Sequence, residues 1–492
     1  MRFHFSTMVR VVPVLYVLAF VIMFLTAFMA VPLVVSWLMD DGAAAAFEQA
    51  MLLGGSAGVA LWIIARRQKQ ELQTRDGFLL VSLVWMVLPA LAALPLLIQL
   101  PGLSFTDAYF ETVSGLTTSG ATVLSGLDSL PASINVWRGL LIWLGGMGII
   151  VLAVAVLPLL GVGGSQLFKA ETPGPMKDAK LTPRMTQTAK GLWLVYIGIT
   201  AACVVSMKLA GMSWVDALVH AFSTMGLGGF STHDDSFAYF NSPVIEAVTI
   251  IFMGLAGINF ATHFQALRGF RIGVYRRDPE ASLFLLILAL SVLGIALFLF
   301  FNEVYASFWT ALRYSAFNVV SIATTTGFAS TDFNLWPVFA PVWMLFLSCF
   351  CTCSGSTGGG IKMIRARLMF HQALREMTRI LHPRAQVPVK LSGHPVENNL
   401  IFAVLAFMLM YGGVITVSTM LLAATGLDII SAFSATVACI NNMGPGLNKV
   451  GPATTYASLT DFQTWICTAT MLLGRLELFT LLVVFTPGFW RR

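Results

Sequence analysis

Charge is scarce in this 492-residue chain: Asp, Glu, Lys and Arg together make up 11% of it. A water-soluble domain carries roughly twice that share, so a soluble enzyme or binding module of any size is excluded. Cysteine is scarce too. The six, Cys203, Cys349, Cys351, Cys353, Cys439 and Cys467, mostly lie in apolar stretches and make no spaced disulfide framework. The Cys349-x-Cys351-x-Cys353 cluster has no His or carboxylate beside it, so it reads as small residues in a packed helix rather than a metal site. A Ser/His/Asp set, a metal quartet and an HExxH helix are also missing, which removes the usual hydrolase readings. No basic stretch interleaved with aromatics offers a nucleic-acid surface.

What fills the chain is apolar: 57% of residues are hydrophobic and the mean hydropathy is +0.82. Runs long enough to cross a bilayer recur from end to end. They predict an all-α polytopic membrane protein with spans near 10–37, 47–66, 77–99, 136–160, 187–209, 241–266, 281–302, 338–361, 397–424 and 463–486. Arg2 and Arg10 precede an apolar run reaching Trp37, too long for a signal-peptide core, so a retained first span is expected. With the N-terminus inside, every Lys and Arg of the 29 falls on the cytoplasmic side except Arg138, Lys208, Arg313, Lys449 and Arg475. That asymmetry orients the chain with both termini cytoplasmic. The outer side collects Asp40, Asp41, Asp128, Asp234, Asp235, Asp332 and Asp461, a surface that attracts cations.

Four outer connections share one plan: a short amphipathic stretch, then a Gly/Thr/Ser/Asn-rich segment. Phe110-Glu-Thr-Val-Ser-Gly-Leu-Thr-Thr-Ser-Gly120 aligns without gaps on Phe317-Asn-Val-Val-Ser-Ile-Ala-Thr-Thr-Thr-Gly327. The segment from Thr436-Val437 to Gly444 keeps the Thr-Val pair, and Ser104-Phe-Thr-Asp107 matches Ser213-Trp-Val-Asp216 ahead of Gly120 and Gly229. The chain therefore holds four copies of one helix–pore loop–helix unit behind two extra N-terminal spans. Irregular backbone at membrane depth is tolerated where it lines a water-filled path. Four such loops around one axis supply carbonyl oxygens that replace the hydration shell of a potassium ion. Glycine accepts the backbone this requires, hence Gly120, Gly229, Gly327 and Gly444. Asp107 and Asp216 suit the first turn of their short helices.

These residues make the chain similar to the Trk/Ktr/HKT superfamily of potassium transporters, and the two leading spans resemble its TrkH type. The resemblance covers essentially the whole chain. It implies four filter strands: Thr117-Thr-Ser-Gly-Ala-Thr122, Gly228-Gly-Phe-Ser-Thr-His-Asp234, Ala323-Thr-Thr-Thr-Gly-Phe328 and Asn441-Asn-Met-Gly-Pro-Gly446. Within them Thr118, Ser119, Gly120, Gly228, Gly229, Phe230, Thr325, Thr326, Gly327, Asn442, Met443 and Gly444 are the expected lining, with Thr118, Gly229, Thr325 and Asn442 as potassium ligands. No loop carries Thr-Val-Gly-Tyr-Gly, and in this family such irregularity goes with looser discrimination against rubidium or sodium.

The eighth span is broken by Ser354-Gly-Ser-Thr-Gly-Gly-Gly-Ile-Lys362, whose glycines unwind a helix. It is not a nucleotide-phosphate loop: Ile361 separates Gly360 from Lys362, and no strand precedes it. The resemblance assigns Gly355, Ser356, Thr357, Gly358, Gly359 and Gly360 to an intramembrane gating loop below the filter. It places Arg475, a charge inside the last span, in the pore beside that loop; a salt bridge to a buried carboxylate is the other reading. Glu477, on another helix face, is not expected to pair with Arg475. Gly146, Gly254 or Gly257, Gly355 and Gly474 read as sites of close approach or bending. His233, Asp234 and Asp235 read as a solvated mouth rather than a metal site, and Asn259 and His263 as cavity lining or packing contacts.

The expected division is 1–75, a two-helix extension; 76–168, 169–278, 279–392 and 393–492, the four pore units. The expected activity is potassium uptake across a bacterial inner membrane, with K+ as cargo, no covalent cofactor and no enzymatic reaction. The alternative is a proton- or sodium-coupled symporter, for which the spans offer few titratable groups beyond His220, His263 and Arg475. The resemblance further implies a homodimer with one pore per chain and a cytoplasmic TrkA-like ring that senses nucleotide.

Overall fold

The computed structural model describes residues 3–66, 74–148, 185–269, 273–391 and 394–490. Most of it is helix. Among the described residues the strands form a two-residue antiparallel ladder, Lys390 pairing with Pro395 and Leu391 with His394. Helices α1 (Phe3–Phe28) and α2 (Ala30–Met39) run up, and α3 (Ala44–Ala65) returns beside them. They pack through glycine: a Cβ on Gly58 would lie 2.6 Å from Met23 Cγ. Such close approach is how apolar helices associate in lipid.

Four units follow. The first is α4 (Thr74–Ala92) with α5 (Leu94–Gln99), the short pore helix α6 (Phe105–Leu116), and α7 (Ala132–Gly146). The second is α8 (Met185–Leu209), pore helix α9 (Trp214–Gly226), and α10 (Pro243–Ala256) followed by α11 (Phe260–Gly269). After the short α12 (Gly273–Arg277) comes the third: α13 (Pro279–Phe301), pore helix α14 (Phe308–Ala323), α15 (Phe339–Phe350) and α16 (Met363–Leu381). The fourth is α17 (Asn398–Ala424), pore helix α18 (Ile429–Asn441), α19 (Asp461–Arg475) and α20 (Phe479–Leu482).

Capping decides where the pore helices start. Ser104 and Ser213 accept the N–H of Asp107 and Asp216 at 3.1 and 3.0 Å and donate to those carboxylates, so the two aspartates sit in the first turn as expected. Asp428 accepts the N–H of Ser431 at 3.1 Å for α18. A full capping box of Thr460 and Gln463 starts α19.

Among the described residues, six stretches are long and apolar enough to cross a membrane: Val11–Met39, Ala44–Ala65, Arg75–Gln99, Ala189–Leu209, Pro279–Phe301 and Asn398–Ala424. Two more qualify only as bent pairs, α10 with α11 at 96° and α19 with Phe479–Phe485 at 106°. The span expected over 338–361 is not one helix. The break expected at 354–362, with its four glycines between 355 and 360, is present, but it starts earlier: the helix ends at Phe350 and 351–362 is irregular. Only Cys349 of the cysteine cluster is therefore helical. The second half of the span expected over 136–160 lies outside the described residues. So do Arg67, Lys69, Lys169, Lys177, Lys180, Arg184, Arg271 and the boundary set at 168/169.

Buried side chains form two large clusters, one joining α1 and α3 to units 1 and 4, the other joining units 2 and 3; Trp143 packs against both. Exposed side chains such as Leu209 and Leu409, more than three-quarters accessible, suit a lipid surround rather than water. The whole is an all-α polytopic membrane fold, four pseudo-symmetric helix–pore loop–helix units around one pore plus two extra N-terminal helices.

Candidate ion pathway

Each pore helix ends the same way. Thr118, Leu227, Thr325 and Asn442 adopt left-handed backbone, φ between +52° and +63°. The next residue in each loop then bonds back to its helix: Ser119 N to Ser114 O, Gly228 N to Ser223 O, Thr326 N to Ser321 O and Met443 N to Ala438 O, all within 2.8–2.9 Å. Gly120, Gly229, Gly327 and Gly444 follow. These bonds fix the four-fold register without reference to sequence similarity. They align the four glycines as expected, but they make Leu227, not Gly229, the counterpart of Thr118, Thr325 and Asn442. No polar or glycine residue marks Leu227 in the sequence.

The loops close into a ring. A Cβ on Gly120 would lie 2.8 Å from Gly229 Cα; on Gly229, 2.8 Å from Thr326 O; on Gly327, 2.9 Å from Pro445 Cδ; and on Gly444, 2.8 Å from Ser119 O. Loop 1 thus touches loop 2, loop 2 touches loop 3, loop 3 touches loop 4, and loop 4 returns to loop 1. No side chain fits between them. Gly120, Gly327 and Gly444 also hold φ of +77°, +89° and +92°, whereas Gly229 does not. The helix carbonyl ends converge on this ring with partial negative charge.

Each pore helix holds its own exit strand with one polar side chain. Glu111 accepts Val123 N–H at 3.0 Å, Asn318 Oδ1 accepts Ser330 N–H at 3.2 Å, Ser434 Oγ accepts Leu447 N–H at 2.8 Å, and His220 Nε2 bonds Ser231 Oγ at 2.9 Å. Glu111 and Asn318 align in the repeats, a signal the sequence carried but the glycines overshadowed. Glu111 also pairs with Arg138 at 2.8 Å, both fully buried. Arg138 donates to Ser231 O at 3.1 Å and lies 4.3 Å over the Phe230 ring, so it joins loops 1 and 2 from behind. Arg313 pairs with Glu246 at 2.7 Å. Two of the cations that broke the charge asymmetry are thus internal ion-pair partners.

On one side of the ring a mouth of about 400 Å³ opens over the four glycines, with Asp234, Asp235 and Asp332 in its wall. His233 bonds Asp128 and stacks on Tyr239, and the His233 bond holds the Asp128 carboxyl below the usual carboxylate range. Asp234 accepts Gly126 N–H at 2.8 Å. Among the described residues no His/Cys/Asp/Glu group suits a metal ion.

On the other side lies 351–362. Thr357 Oγ1 donates to Met225 O at 2.9 Å, and Gly359 N donates to Thr325 Oγ1 at 2.9 Å. A Cβ on Gly358 would lie 3.2 Å from Leu227 Cδ1, and one on Gly359 3.3 Å from Asn442 Cβ. The tip therefore meets units 2, 3 and 4. Unit 1 is met by Arg475, which donates to Thr118 Oγ1 at 3.2 Å, to Thr357 O at 3.1 Å, to Gly146 O at 3.2 Å and to Gly145 O. Glu477 pairs instead with Arg365 at 2.6 Å. Gly355 and Ser356 form the near limb of the segment; Gly360 (φ +78°) and Lys362, which donates to Gly358 O, form the far limb.

The remaining glycines divide. Close approach holds where an added Cβ would lie 2.8 Å from Gly226 Cα at Gly146, 2.8 Å from the Ile440 carbonyl carbon at Gly474, 2.6 Å from Asn259 Oδ1 at Gly355 and 2.7 Å from Phe284 at Gly257, while a Cβ on Gly254 would meet nothing within 4 Å. His263 bonds Tyr275 OH and Leu255 O, both at 2.8 Å, and Asn259 caps Ala261 N–H at 2.9 Å, so both make packing contacts.

The TrkH family model, described as a cation transport protein, matches residues 43–491. The chain is 47% identical over 489 residues to the Trk system potassium uptake protein TrkH of Salmonella typhimurium, covering 99% of this chain and 100% of that one. It is 38% identical to TrkG of Escherichia coli K12, over 89% of each. The crystal structure of the potassium transporter TrkH from Vibrio parahaemolyticus matches with a TM-score of 0.88 at 43% identity, over 98% of this chain and 99% of that one. Near-complete coverage of sequence and fold at this identity places the chain in the TrkH family of cation transport proteins.

Proposed function

We propose that this chain takes up potassium ions through the ring of four loops. The observation that carries the reading is the closed circuit of glycine contacts, which brings four sets of backbone carbonyls around one axis. Ions enter by the acidic mouth and shed water against carbonyls of the segments 118–120, 227–230, 325–327 and 442–444. Leu227 replaces Gly229 in the lowest tier. The segment 355–360 and Arg475 together plug the underside, and their displacement opens the path. Arg475 adds an electrostatic barrier to cations there. The setting is a bacterial inner membrane with both termini cytoplasmic, a reading supported by the Lys and Arg distribution, so the negative interior draws cations inward. The chain works as a homodimer, one pore per protomer, with a nucleotide-binding TrkA-like ring on its basic cytoplasmic face; the relatives' names place them in a Trk system.

Rubidium uptake tests this. Purified chain in liposomes, given only an inside-negative potential, is expected to accumulate rubidium, with potassium competing better than sodium. Uptake that requires an added proton or sodium gradient would move the assignment to the coupled symporter. No uptake of any cation would remove it.

A further inference from the structure

The plug is held at its stem as well as its tip. Glu280 stands buried in the first turn of α13. Its Oε1 accepts the N–H of Ser354 at 3.1 Å and the N–H of Ile364 at 3.0 Å. Those amides belong to opposite limbs, one entering the irregular segment and one leaving it. A single carboxylate oxygen on a neighbouring helix thus closes the base of the loop. Backbone bonds lace the same stem: Ile361 N to Cys349 O at 2.6 Å, Met363 N to Thr352 O at 2.8 Å and Cys353 N to Gly257 O at 3.1 Å.

Glu280 is itself well placed. Asp278 caps α13 by accepting the N–H of Glu280 at 2.9 Å and of Ala281 at 3.2 Å, and receives the Thr262 hydroxyl from α11 at 2.5 Å. Arg367, beyond the far limb, donates to Pro279 O at 3.1 Å. The N-terminal turn of α13 is therefore rigidly joined to both α11 and α16.

We propose that Glu280 is the positioning residue of the plug: it holds both limbs so that the tip stays seated beneath the ring. The assignment rests on the reading of 355–360 as the plug. Both amides find their acceptor only while the limbs stay together. Without it they are buried and unpaired, which favours conformations where the limbs part and the amides reach water.

The test uses the full chain in liposomes, rubidium flux, and hydrogen exchange by mass spectrometry. Deleting residues 358–360 checks the plug itself and should raise flux. E280A removes the acceptor, and E280D draws it back by one methylene; each should raise flux roughly tenfold, the shift set by losing two such bonds. E280Q keeps an oxygen in place and should stay within about twofold of wild type. In E280A, exchange should accelerate over 351–365 and not over 113–121. If the deletion raises flux while E280A matches wild type in flux, the anchor is refuted and the plug stands, whatever the exchange shows. If the deletion leaves flux unchanged, the plug reading fails and takes the anchor with it. Acceleration over 113–121 as well would make Glu280 a general support of the fold and refute the positioning role.

Discussion

Gly444 and Gly426 hold nearly the same left-handed backbone, φ +92° and +90°, and differ only in their surroundings. A Cβ on Gly426 meets nothing within 4 Å, whereas one on Gly444 meets Ser119 O at 2.8 Å across the ring. Serine at either site incurs a backbone cost of about 1 kcal/mol, but only at 444 must the loops also spread. G444S is therefore expected to abolish rubidium uptake or its preference for potassium, while G426S leaves both within about twofold. Equal loss in the two variants would mean that backbone strain, not ring closure, explains the glycine. Arg475 makes the second residue-scale case. Alanine there removes donors to Thr118 and Thr357 and should raise flux about tenfold, and lysine should fall between, since one ammonium cannot reach all of the same oxygens. The glycines and Arg475 were legible in the sequence because each breaks a local rule of membrane helices. Leu227 was not: a leucine in an apolar stretch breaks none, and only the back-bond of Gly228 to Ser223 reveals its left-handed turn.

The pore helices carry a pattern of a different order. Their exit strands are held by Glu111, His220, Asn318 and Ser434, four unlike side chains doing one job. Their unlike chemistry predicts unlike costs. E111Q keeps an acceptor for Val123 N–H but leaves Arg138 buried without its counter-charge, an expected loss of about 3 kcal/mol. N318A removes a neutral brace and should cost about 1 kcal/mol. Thermal unfolding of the two variants in mild detergent measures the difference; a smaller loss for E111Q than for N318A would show that Glu111 and Arg138 do not stabilise each other. Elements were read well where one physical term dominated. Apolar length marked α13 and α17, and Ser-x-x-Asp marked the starts of α6 and α9. Where two terms compete, the sequence marks no boundary. Hydropathy stays high from Leu345 through Cys353, so nothing in it marks the end of α15 at Phe350. The bends after α10 and α19 fall inside stretches that still qualify as single spans by length and composition.

At the scale of the whole molecule, the two leading helices must be fastened to the four-unit body, and apolar packing in lipid does not by itself set their register. Asp41, in the turn between α2 and α3, does so with hydrogen bonds: its carboxylate accepts Ser133 N–H from the first turn of α7 at 2.8 Å, Ala43 N–H at 3.1 Å and the Ser36 hydroxyl. Burial pushes this carboxyl up, but the bonds from Ser36, Ser133 and Ala43 outweigh it and hold the group below its ordinary value. The sign follows from linkage. A carboxyl depressed in the folded state contributes stability that is complete above its unfolded value, near pH 4, and is lost as pH falls through the folded value. D41N should therefore lower the unfolding midpoint at neutral pH, by the equivalent of about 1 kcal/mol for a half-exposed site. The deficit should stay constant down to about pH 4 and then shrink as the wild type loses the same contribution. Midpoints of both proteins measured from pH 3 to 7 check this. A deficit that persists unchanged at pH 3 would show that Asp41 acts through shape alone, and that the extension is held to the pore body by packing rather than by this charge.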